Sequence, residues 1–269
     1  MRIVNLASGS KANSTFVEYG ESKILIDVGL SEKLLKERLE ELDENLSNII
    51  AVCITHEHSD HIKSLKTLAR KYDMDFYVHE KLANSGFLSD IVFKAGKLHT
   101  FNDEMFSILN LEILPFATSH DAISPVGFTI NVKGSASKFG IVTDTGTISQ
   151  KMRESLAGSK IVFIESNYDE EMLFTGFYPM QVKNRIASSI GHLSNAQSLE
   201  FAEYLYESGT KCFVLSHLSE NCNTQELAYV NFVNYFQNKG LSLDKDVFIR
   251  LSYQNKHGNK FNLKEEFYG

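Results

Sequence analysis

Three histidines and two carboxylates stand within six residues of this chain, at positions 56–61 of the stretch THEHSDH. Residues two apart on an extended segment point the same way, so His56 and His58 can bind one metal ion. Asp60 and His61 would lie in the first turn of a helix that Ser59 caps, which directs them to a second ion beside the first. Imidazole and carboxylate groups suit zinc, and such a mixed set also accepts manganese or iron.

Three further residues of ligand type follow apolar runs that are typical of buried strands. His120 ends LPFATSH, Asp144 ends GIVTD and His217 ends CFVLSH. A strand delivers the residue at its end to a cleft, where sites are usually built. A carboxylate has two oxygens and is the natural bridge between two ions. The predicted centre assigns His56, His58 and His120 to one ion, Asp60, His61 and His217 to the other, and Asp144 between them.

The elements that must position these residues form two similar halves, each a block of strands followed by alternating strands and helices. This pattern predicts two α/β halves packed sheet to sheet, with helices outside, in a single domain over residues 1–269. The predicted strands are RIVNLAS, STFVEYG, SKILIDVG, IIAVCIT, DFYVH, LEILPFAT, VGFTINVK, KFGIVTDTG, KIVFIES, KCFVLSH and DVFIRLS. The predicted helices are SEKLLKERLEEL, a helix from Ser59 to about Lys71, KLANSGFL, SQKMRESLAG, 195–208 and 224–239.

The composition is that of an ordinary globular protein, with 43% hydrophobic and 23% charged residues. The net charge of -7 argues against broad non-specific binding to nucleic acid, although a local basic groove stays open. Three scattered cysteines without CxxC spacing indicate reduced thiols. No apolar run is long enough for a membrane span or a signal peptide, so we expect a cytoplasmic protein without membrane contact.

The motif H-x-H-x-D-H, followed by an isolated His, a strand-end Asp and a late His, resembles the metallo-β-lactamase superfamily over nearly the whole chain. The resemblance implies an α/β (α+β) fold in four layers, an αββα sandwich of two packed mixed β-sheets with outer helices. The chain is too short for the inserted β-CASP cap of some members. The segment LIDVG resembles the first motif of the superfamily, in which the Asp, here Asp27, supports the metal ligands without binding metal.

The resemblance also implies two divalent metal ions, with zinc preferred and manganese or iron as alternatives. A hydroxide that bridges two cations can attack a carbonyl carbon or a phosphorus atom. Substrates within the superfamily range from thioesters and lactams to phosphodiesters. We expect Asp60 to act in this catalytic centre as well as to bind metal.

Glu165 ends the apolar run KIVFIE, and His192 precedes a predicted helix. This pair resembles the Glu and His of the tRNA 3′-processing endonucleases (RNase Z), in which the Glu orients a His that protonates the leaving oxygen. Cleavage of a phosphodiester expels an alkoxide, and a donor tuned near neutral pH lowers that barrier. We therefore expect His192 to be the general acid and Glu165 its partner.

Several segments together resemble the YycJ/WalJ branch of the superfamily, among them LASGSKANST, TSHDAISPVGF and IESNYDEEML. Members of this branch are cytosolic and linked to DNA exonuclease activity. Ala12, Tyr168 and Cys222 depart from the branch pattern, and Tyr168 replaces a His. Backbone N–H groups, small hydroxyls, helix starts and cations can all bind phosphate. The candidate substrate contacts on these grounds are Ser10, Lys11, Asn13, Lys183, Arg185, Ser194 and Asn195.

The sequence favours a dinuclear metal-dependent phosphodiesterase, a nuclease that acts on DNA ends. The alternative is a thioester or acyl hydrolase of glyoxalase II type, which uses the same metals and needs no separate acid because a thiolate leaves readily. A third hypothesis is a non-catalytic binding protein. The sequence leaves open DNA, RNA or a small phosphodiester as substrate, exonuclease or endonuclease action, and a monomer or a homodimer.

Overall fold

A computed structural model describes residues 1–263 of the chain and contains two seven-stranded sheets. The first sheet has the strand order β14-β1-β2-β3-β4-β5-β6. The strands from β14 through β3 pair antiparallel, and those from β3 through β6 pair parallel. Its strands are β1 Arg2–Ala7, β2 Ser14–Tyr19, β3 Ser22–Ile26, β4 Ala51–Cys53, β5 Asp75–His79, β6 Leu98–Phe101 and β14 Lys260–Asn262.

The second sheet repeats this plan, with the order β13-β12-β11-β10-β9-β8-β7. Its strands pair antiparallel from β7 to β10 and parallel from β10 to β13. The repetition predicted from the sequence is therefore a repetition of sheet topology. The strands are β7 Phe106–Ile108, β8 Leu111–Ala117, β9 Val126–Val132, β10 Lys138–Val142, β11 Ile161–Glu165, β12 Cys212–Ser216 and β13 Phe248–Leu251.

Side chains that point alternately to the two faces of each strand form three separate apolar layers. In β3, Ile24 and Ile26 join the core between the two sheets, whereas Leu25 points to the helices outside the first sheet. In β11, Phe163 faces the core between the sheets and Ile164 faces the helices outside the second sheet. Successive side chains of a strand point to opposite faces, so each sheet buries both of its faces. The predicted αββα sandwich is confirmed.

The helices cover the outer faces of both sheets. The first sheet is covered by α1, α3 and α4, and the second by α5, α8 and α9. Within residues 1–263, no helix combines the length and the apolar character that a membrane crossing requires. The helices are α1 Glu32–Glu40, α2 Ser59–Ile62, α3 Leu65–Lys71, α4 Glu80–Asn84, α5 Gln150–Leu156, α6 Glu170–Thr175, α7 Met180–Ile186, α8 Asn195–Glu207 and α9 Gln225–Asn238.

The helix after the histidine-rich stretch differs from its prediction. Ser59 does not cap one helix to about Lys71; it is the first residue of the short α2, which no side chain caps, and α3 follows separately. The end of β3 explains the break. Val28 donates its backbone N–H to the carbonyl of His61 at 2.7 Å, and its own carbonyl accepts the N–H of Ser64 at 3.0 Å. These bonds hold the chain against the first sheet and interrupt the helix.

The sequence patterns missed the elements with little apolar periodicity. No prediction covers β6, β7, β14, α6 or α7. The segment KLANSGFL forms α4 and then a 3₁₀ turn at Phe87–Asp90, because Gly86 takes a left-handed conformation with φ 83° between them. Residues 264–269, which the single-domain prediction includes, lie outside the described part.

Candidate metal centre

The carboxyl ends of strands from both sheets converge on one cluster of side chains. The loop after β4 carries His56 and His58, and α2 adds Asp60 and His61. Strands β8, β10 and β12 end shortly before the other members, which are His120, Asp144 and His217. Ligand atoms of these seven side chains fall into overlapping groups in which all atoms lie within 4.8 Å of one another. The structure thus brings together all seven residues that the sequence indicated.

One group consists of His56, His58 and His120. Nδ1 of His58 lies 3.2 Å from Nε2 of His120, which in turn lies 3.7 Å from Oδ1 of Asp144. Ligand atoms about 2.1 Å from a tetrahedral zinc ion are roughly 3.4 Å apart. The spacing of this group therefore matches the coordination sphere of a single divalent ion.

The second group consists of Asp60, His61 and His217. Nε2 of His61 lies 3.4 Å from Oδ2 of Asp60 and 3.2 Å from Oδ2 of Asp144. Nε2 of His217 lies 3.7 Å from Oδ2 of Asp60 and 3.5 Å from Oδ1 of Asp144. Asp144 is thus close to both groups, with Oδ1 near His120 and His217 and Oδ2 near His61, as a bridging carboxylate requires.

Hydrogen bonds from the far ring nitrogens fix the tautomers of four of these histidines. Nδ1–H of His56 donates to Thr55 Oγ1 at 3.0 Å, and Nδ1–H of His61 donates to Asp27 Oδ2 at 2.7 Å. Nδ1–H of His120 donates to the carbonyl of Gly191 at 3.1 Å, and Nδ1–H of His217 donates to Glu165 Oε1 at 2.9 Å. Each bond leaves Nε2 with a lone pair that faces the cluster. Such outer bonds orient metal-binding imidazoles in proteins.

Unpartnered atoms at the centre of the cluster fit a metal ion. Nε2 of His56, Nε2 of His217 and Oδ2 of Asp144 are buried, and none has a hydrogen-bond partner among residues 1–263. Each buried polar atom left without a partner costs about 1–3 kcal/mol. Divalent cations are the partners that neutral imidazole and carboxylate groups share. The donor set therefore fits the metal ions that the fold family implies.

Three residues of the site are held in a left-handed backbone conformation that side chains rarely adopt. Asp27, Asp144 and His217 have φ values of 60°, 56° and 55°, and each follows the end of a strand. This conformation costs of order 1 kcal/mol or more for a residue other than glycine, and it persists where surrounding structure imposes it. The strained positions turn these side chains out of their strands and into the cluster.

Glu165 lies beneath the cluster and is fully buried. Its Oε1 accepts hydrogen bonds from Nδ1 of His192 at 2.8 Å and from Nδ1 of His217 at 2.9 Å. Its remaining bonds come from backbone N–H groups, those of Asp144, Thr145 and Leu193. Burial disfavours the charged carboxylate, but the imidazoles of His192 and His217 outweigh burial and hold the pKa of Glu165 at about 2.

Burial and neighbouring charges divide the cluster into neutral and charged groups. Burial lowers the pKa of His56 and of His120, so both imidazoles are neutral and available as ligands. Burial also opposes a charge on His217, but the neighbouring carboxylates, Asp144 first, raise its pKa to about 10. The pKa of Asp144 lies well below its ordinary value because the imidazoles outweigh the effect of burial. The ionised carboxylate of Asp144 therefore puts negative charge at the centre of the cluster, which favours a bound cation.

The first loop, between β1 and β2, supports a metal ligand through Asn13, which the sequence did not indicate. Ser10 and Lys11 are exposed, and Lys11 pairs with Glu220. Asn13, expected to bind substrate, is instead buried, and its Nδ2 donates to Oδ2 of Asp60 at 3.0 Å. We therefore assign Asn13 to positioning the metal ligands.

Three of the expected substrate contacts hold helices in place. The ammonium of Lys183 is buried and donates to the carbonyl of Phe174 at 2.7 Å. Ser194 caps α8, and Asn195 is buried with its Oδ1 accepting from Ser166 Oγ at 2.6 Å. The polar groups of Lys183, Ser194 and Asn195 are thus engaged within the fold, and their contact with substrate stays a prediction.

Arg185 lies beside the cluster and is exposed. Its Nε and Nη2 donate to Oδ2 of Asp121 at 2.7 Å and 2.6 Å. Asp121 directly follows His120, and its Oδ1 lies 3.5 Å from Nε2 of that histidine. Asp121 therefore links the exposed guanidinium of Arg185 to the first metal group.

Sequence reasoning missed the residues that connect the ligands to the sheets. Oγ1 of Thr55 bonds to Oδ2 of Asp27 at 2.8 Å, and Oε1 of Glu57 accepts the backbone N–H of Ile123 at 2.8 Å. Nδ2 of Asn167 donates to the carbonyl of His217 at 2.8 Å. Thr55 and Glu57 lie inside THEHSDH, which is the only signal for them in the sequence.

A His/Asp cluster at the carboxyl ends of strands from two packed sheets defines the class of metallo-β-lactamase-fold hydrolases. Residues 22–218 match the model described as "Beta-lactamase superfamily domain". The chain belongs to this superfamily, as its motifs indicated.

Two curated relatives and one solved structure are similar over most of their lengths. The chain is 38% identical over 251 residues to the exodeoxyribonuclease WalJ of Streptococcus pneumoniae serotype 2 (strain D39 / NCTC 7466), which covers 90% of each protein. It is 36% identical over 247 residues to the exodeoxyribonuclease YycJ of Bacillus anthracis, covering 88% of this chain and 90% of that protein. The metallo-β-lactamase fold protein YhfI of Bacillus subtilis superimposes with a TM-score of 0.70 at 13% identity over 97% of this chain and 99% of that chain. The resemblance to the YycJ/WalJ branch is confirmed.

Proposed function

We propose that this chain is a metal-dependent phosphodiesterase that cleaves DNA as an exonuclease. The observation that carries the proposal is the pair of Glu165 and His192 beside the metal cluster. Nδ1 of His192 lies 2.8 Å from Oε1 of Glu165 and 3.9 Å from Oδ1 of Asp144. The side chain of His192 remains 15% exposed, whereas that of Glu165 is completely buried. A partly exposed imidazole with a buried carboxylate behind it can exchange a proton with a substrate.

Two divalent ions would be held by the seven side chains named above, with Asp144 shared between them. Divalent ions bound there supply Lewis-acid stabilisation of a phosphoryl group and lower the pKa of water. Zinc is the ion that the imidazole-rich set favours, and manganese and iron fit the same donors. Asn13 and Asp27 orient the ligands through hydrogen bonds to Asp60 and His61.

His192 would donate the proton that the leaving oxygen needs. Its Nδ1–H bond to Glu165 leaves Nε2 for the substrate. The bond to the adjacent carboxylate orients the imidazole, and the proton would pass from Nε2 to the 3′ or 5′ oxygen as the P–O bond breaks. A correctly placed general acid accelerates such a step by roughly 10²- to 10⁴-fold. A thiolate requires no such donor, so this pair favours phosphodiester over thioester chemistry.

The exposed groups around the cluster would bind the phosphates of the substrate. Arg185 is close to His120 through Asp121, and Ser10 and Lys11 lie exposed on the first loop. Phosphate contacts position a nucleic acid without reading its sequence. The similarity to two exodeoxyribonucleases supports DNA as the substrate and exonuclease action as its mode.

We propose a cytoplasmic protein that forms a single domain over residues 1–269 without an inserted cap. Cys53, Cys212 and Cys222 are all free and buried, which agrees with a reducing compartment.

The test compares His192→Ala with wild type on two phosphodiesters that differ in their leaving group. DNA expels a basic alkoxide, whereas bis-p-nitrophenyl phosphate expels a p-nitrophenolate that needs little proton assistance. We expect DNA cleavage to fall roughly 10²- to 10⁴-fold and bis-p-nitrophenyl phosphate cleavage to fall much less, with the metal content unchanged. His99→Ala, on the partly exposed β6, is the matched control and should retain both activities.

Three results would contradict the proposal. If wild type loaded with zinc, manganese or iron cleaves no phosphodiester, the function is wrong. Equal losses on the two substrates would remove the role of His192 as general acid. Turnover of a thioester that His192→Ala leaves unchanged, in the absence of phosphodiester cleavage, would identify an acyl hydrolase instead.

A further inference from the structure

The segment at residues 174–190 exposes more apolar surface than the fold requires. Thirteen large hydrophobic side chains are exposed within residues 1–263, and five of them lie in this segment of seventeen positions. We name residues 174–190 the exposed arm. Its members with free apolar surface are Phe174, Phe177, Met180, Val182 and Ile190, which are 47%, 76%, 57%, 36% and 49% exposed. Apolar groups concentrated in one exposed region mark a binding surface.

The charge of the exposed arm differs from that of the whole chain. The chain carries 34 acidic and 27 basic residues, yet no Asp or Glu occurs between Met172 and Leu199. The charged residues of this stretch are Lys183, whose ammonium is buried against the carbonyl of Phe174, and Arg185, which is exposed beside Asp121. An acid-free basic segment in an acidic protein lowers the repulsion of a phosphate backbone at one place. Apolar and cationic groups together match a ligand that has both flat apolar faces and phosphates.

Internal contacts make the exposed arm rigid. Lys183 binds the carbonyl of Phe174 at the end of α6, and the hydroxyl of Tyr178 accepts a hydrogen bond from Asn221 Nδ2 at 2.7 Å. Tyr178 also packs against a small apolar core that includes Leu173. The free side chains therefore stand on a supported surface, which reduces the entropy lost when a ligand binds.

The exposed arm is continuous with the metal cluster at its far end. The carbonyl of Ser189 accepts hydrogen bonds from Oγ of Ser119 at 2.8 Å and from Oγ1 of Thr147 at 2.9 Å. Gly191 and His192 follow directly, and the carbonyl of Gly191 binds the imidazole of His120. A ligand on the arm would therefore extend from the site of bond cleavage.

We propose that the exposed arm binds unpaired nucleotides of a single DNA strand next to the scissile phosphate, with Phe177 stacking on a base. The inference rests on the proposed function, which brings a phosphodiester strand to the cluster. Met180 and Arg185 are separated by five residue steps on helix α7, which is a rise of roughly 7.5 Å. A stacked strand advances about 3.4 Å per nucleotide, so the helical part of the arm accommodates about two nucleotides, and Phe177 lies just beyond its start.

The test measures stacking directly on an intact strand. Metal-loaded protein in the His192→Ala background is titrated into a single-stranded oligonucleotide of about ten nucleotides that carries 2-aminopurine at successive positions from one end. Stacking on an aromatic ring quenches 2-aminopurine fluorescence. We expect quenching at positions near one end, loss of that quenching in Phe177→Ala, and weaker binding by about 5- to 150-fold, the range for one base–aromatic stack.

Phe87→Ala is the matched control, because Phe87 is equally a surface phenylalanine, 47% exposed, in the other half of the fold. It should retain wild-type quenching and affinity. With cleavage-competent protein, Phe177→Ala should lower the ratio of kcat/KM for the oligonucleotide to kcat/KM for bis-p-nitrophenyl phosphate by a similar factor. The binding measurement does not need cleavage, so it separates this inference from the proposed function.

Three outcomes would overturn the inference. Unchanged quenching and affinity in Phe177→Ala would show that the ring does not stack on a base. Equal loss in Phe87→Ala would indicate a general surface effect. A change of sedimentation from dimer to monomer in Phe177→Ala, with strand binding retained, would assign the exposed arm to contact with a second copy of the chain.

Discussion

Replacing Glu165 with glutamine would put an amide, which has one donor end, where both carboxylate oxygens now accept hydrogen bonds. Oε2 of Glu165 accepts the backbone N–H groups of Thr145 and Leu193, each at 3.1 Å. Oε1 accepts the Nδ1–H groups of His192 and His217, and also the backbone N–H of Asp144 at 3.2 Å. Glutamine has nearly the same shape, but one of its two ends donates hydrogen bonds. The substitution therefore tests hydrogen-bond direction and charge while it preserves packing.

The two orientations of the amide have different costs. An NH₂ group at the Oε2 position would face two backbone donors that cannot reverse, and two buried N–H groups without acceptors cost about 2–6 kcal/mol together. An NH₂ group at the Oε1 position would force His192 and His217 to accept at Nδ1. Their protons would then move to Nε2, and the neutral His217 could no longer bind metal through that atom. We expect the second orientation, since it leaves one backbone donor without an acceptor, that of Asp144, instead of two, and the histidine tautomers can exchange.

Glu165→Gln should therefore fold and lose metal at the group that contains His217. We expect a 10- to 100-fold weaker affinity for one of two ions, by analogy with the loss of other supporting bonds at metal sites, and at least about 100-fold slower DNA cleavage. Titration with zinc, monitored by calorimetry, gives the affinity. Glu112→Gln, on β8 beside Asn131, is the control and should keep both ions. Two unchanged affinities in Glu165→Gln would refute the assigned hydrogen-bond directions.

Three other predictions concern stability. Gly29→Ala would place a Cβ only 1.6 Å from the carbonyl oxygen of Asp60. We therefore expect the free energy of unfolding in urea to fall by roughly 3 kcal/mol, and an unchanged unfolding midpoint would contradict this packing. Removal of the ions by a chelator should lower Tm, and adding back zinc at about 100 times Kd should restore about 2.7 kcal/mol; a Tm that does not depend on metal would argue against the cluster as a metal site. Glu32 is bound by Lys71 and Tyr72, and these bonds lower its pKa to about 2 from an ordinary value of 4.5. A carboxyl group whose pKa is lower in the folded than in the unfolded protein stabilises the fold above the unfolded pKa, and this stabilisation is lost as the pH falls. Glu32→Gln should therefore be less stable than wild type by at most about 1 kcal/mol at neutral pH, and the difference should shrink between about pH 5 and pH 2. A stability difference that does not depend on pH would contradict this explanation.

The ligand set is the part of the site that residue types and spacing predicted. His56, His58, Asp60 and His61 are adjacent in the chain, so their joint presence could be recognised without a fold. Distant candidates such as Asp144 could be selected because each follows an apolar run, and the end of a buried strand is where a polar side chain reaches a cleft. The two-sheet architecture followed from the repeated order of strands and helices in the two halves.

The roles of the polar residues around the ligands depended on which atoms the fold brings together. Asn13 and Lys183 are residue types that often bind phosphate. In this fold, however, Asn13 donates a hydrogen bond to Asp60, and Lys183 donates one to the carbonyl of Phe174 in α6. Thr55 has no feature that separates it from other threonines until it lies between Asp27 and the histidines. Hydrogen bonds of this kind join residues far apart in the chain, so local sequence carries no signal for them.

The sequence by itself determined the alternation of strands and helices, the two-sheet plan and the identity of the candidate metal-binding side chains. These follow from periodicity and chemical type, which are local properties. The tertiary structure alone decided which nitrogen of each histidine faces the cluster, how Glu165 joins His192 to His217, and that residues 174–190 stand exposed beside the site. Those features are set by distances of a few ångströms between distant segments, and only the packing of the two sheets establishes them.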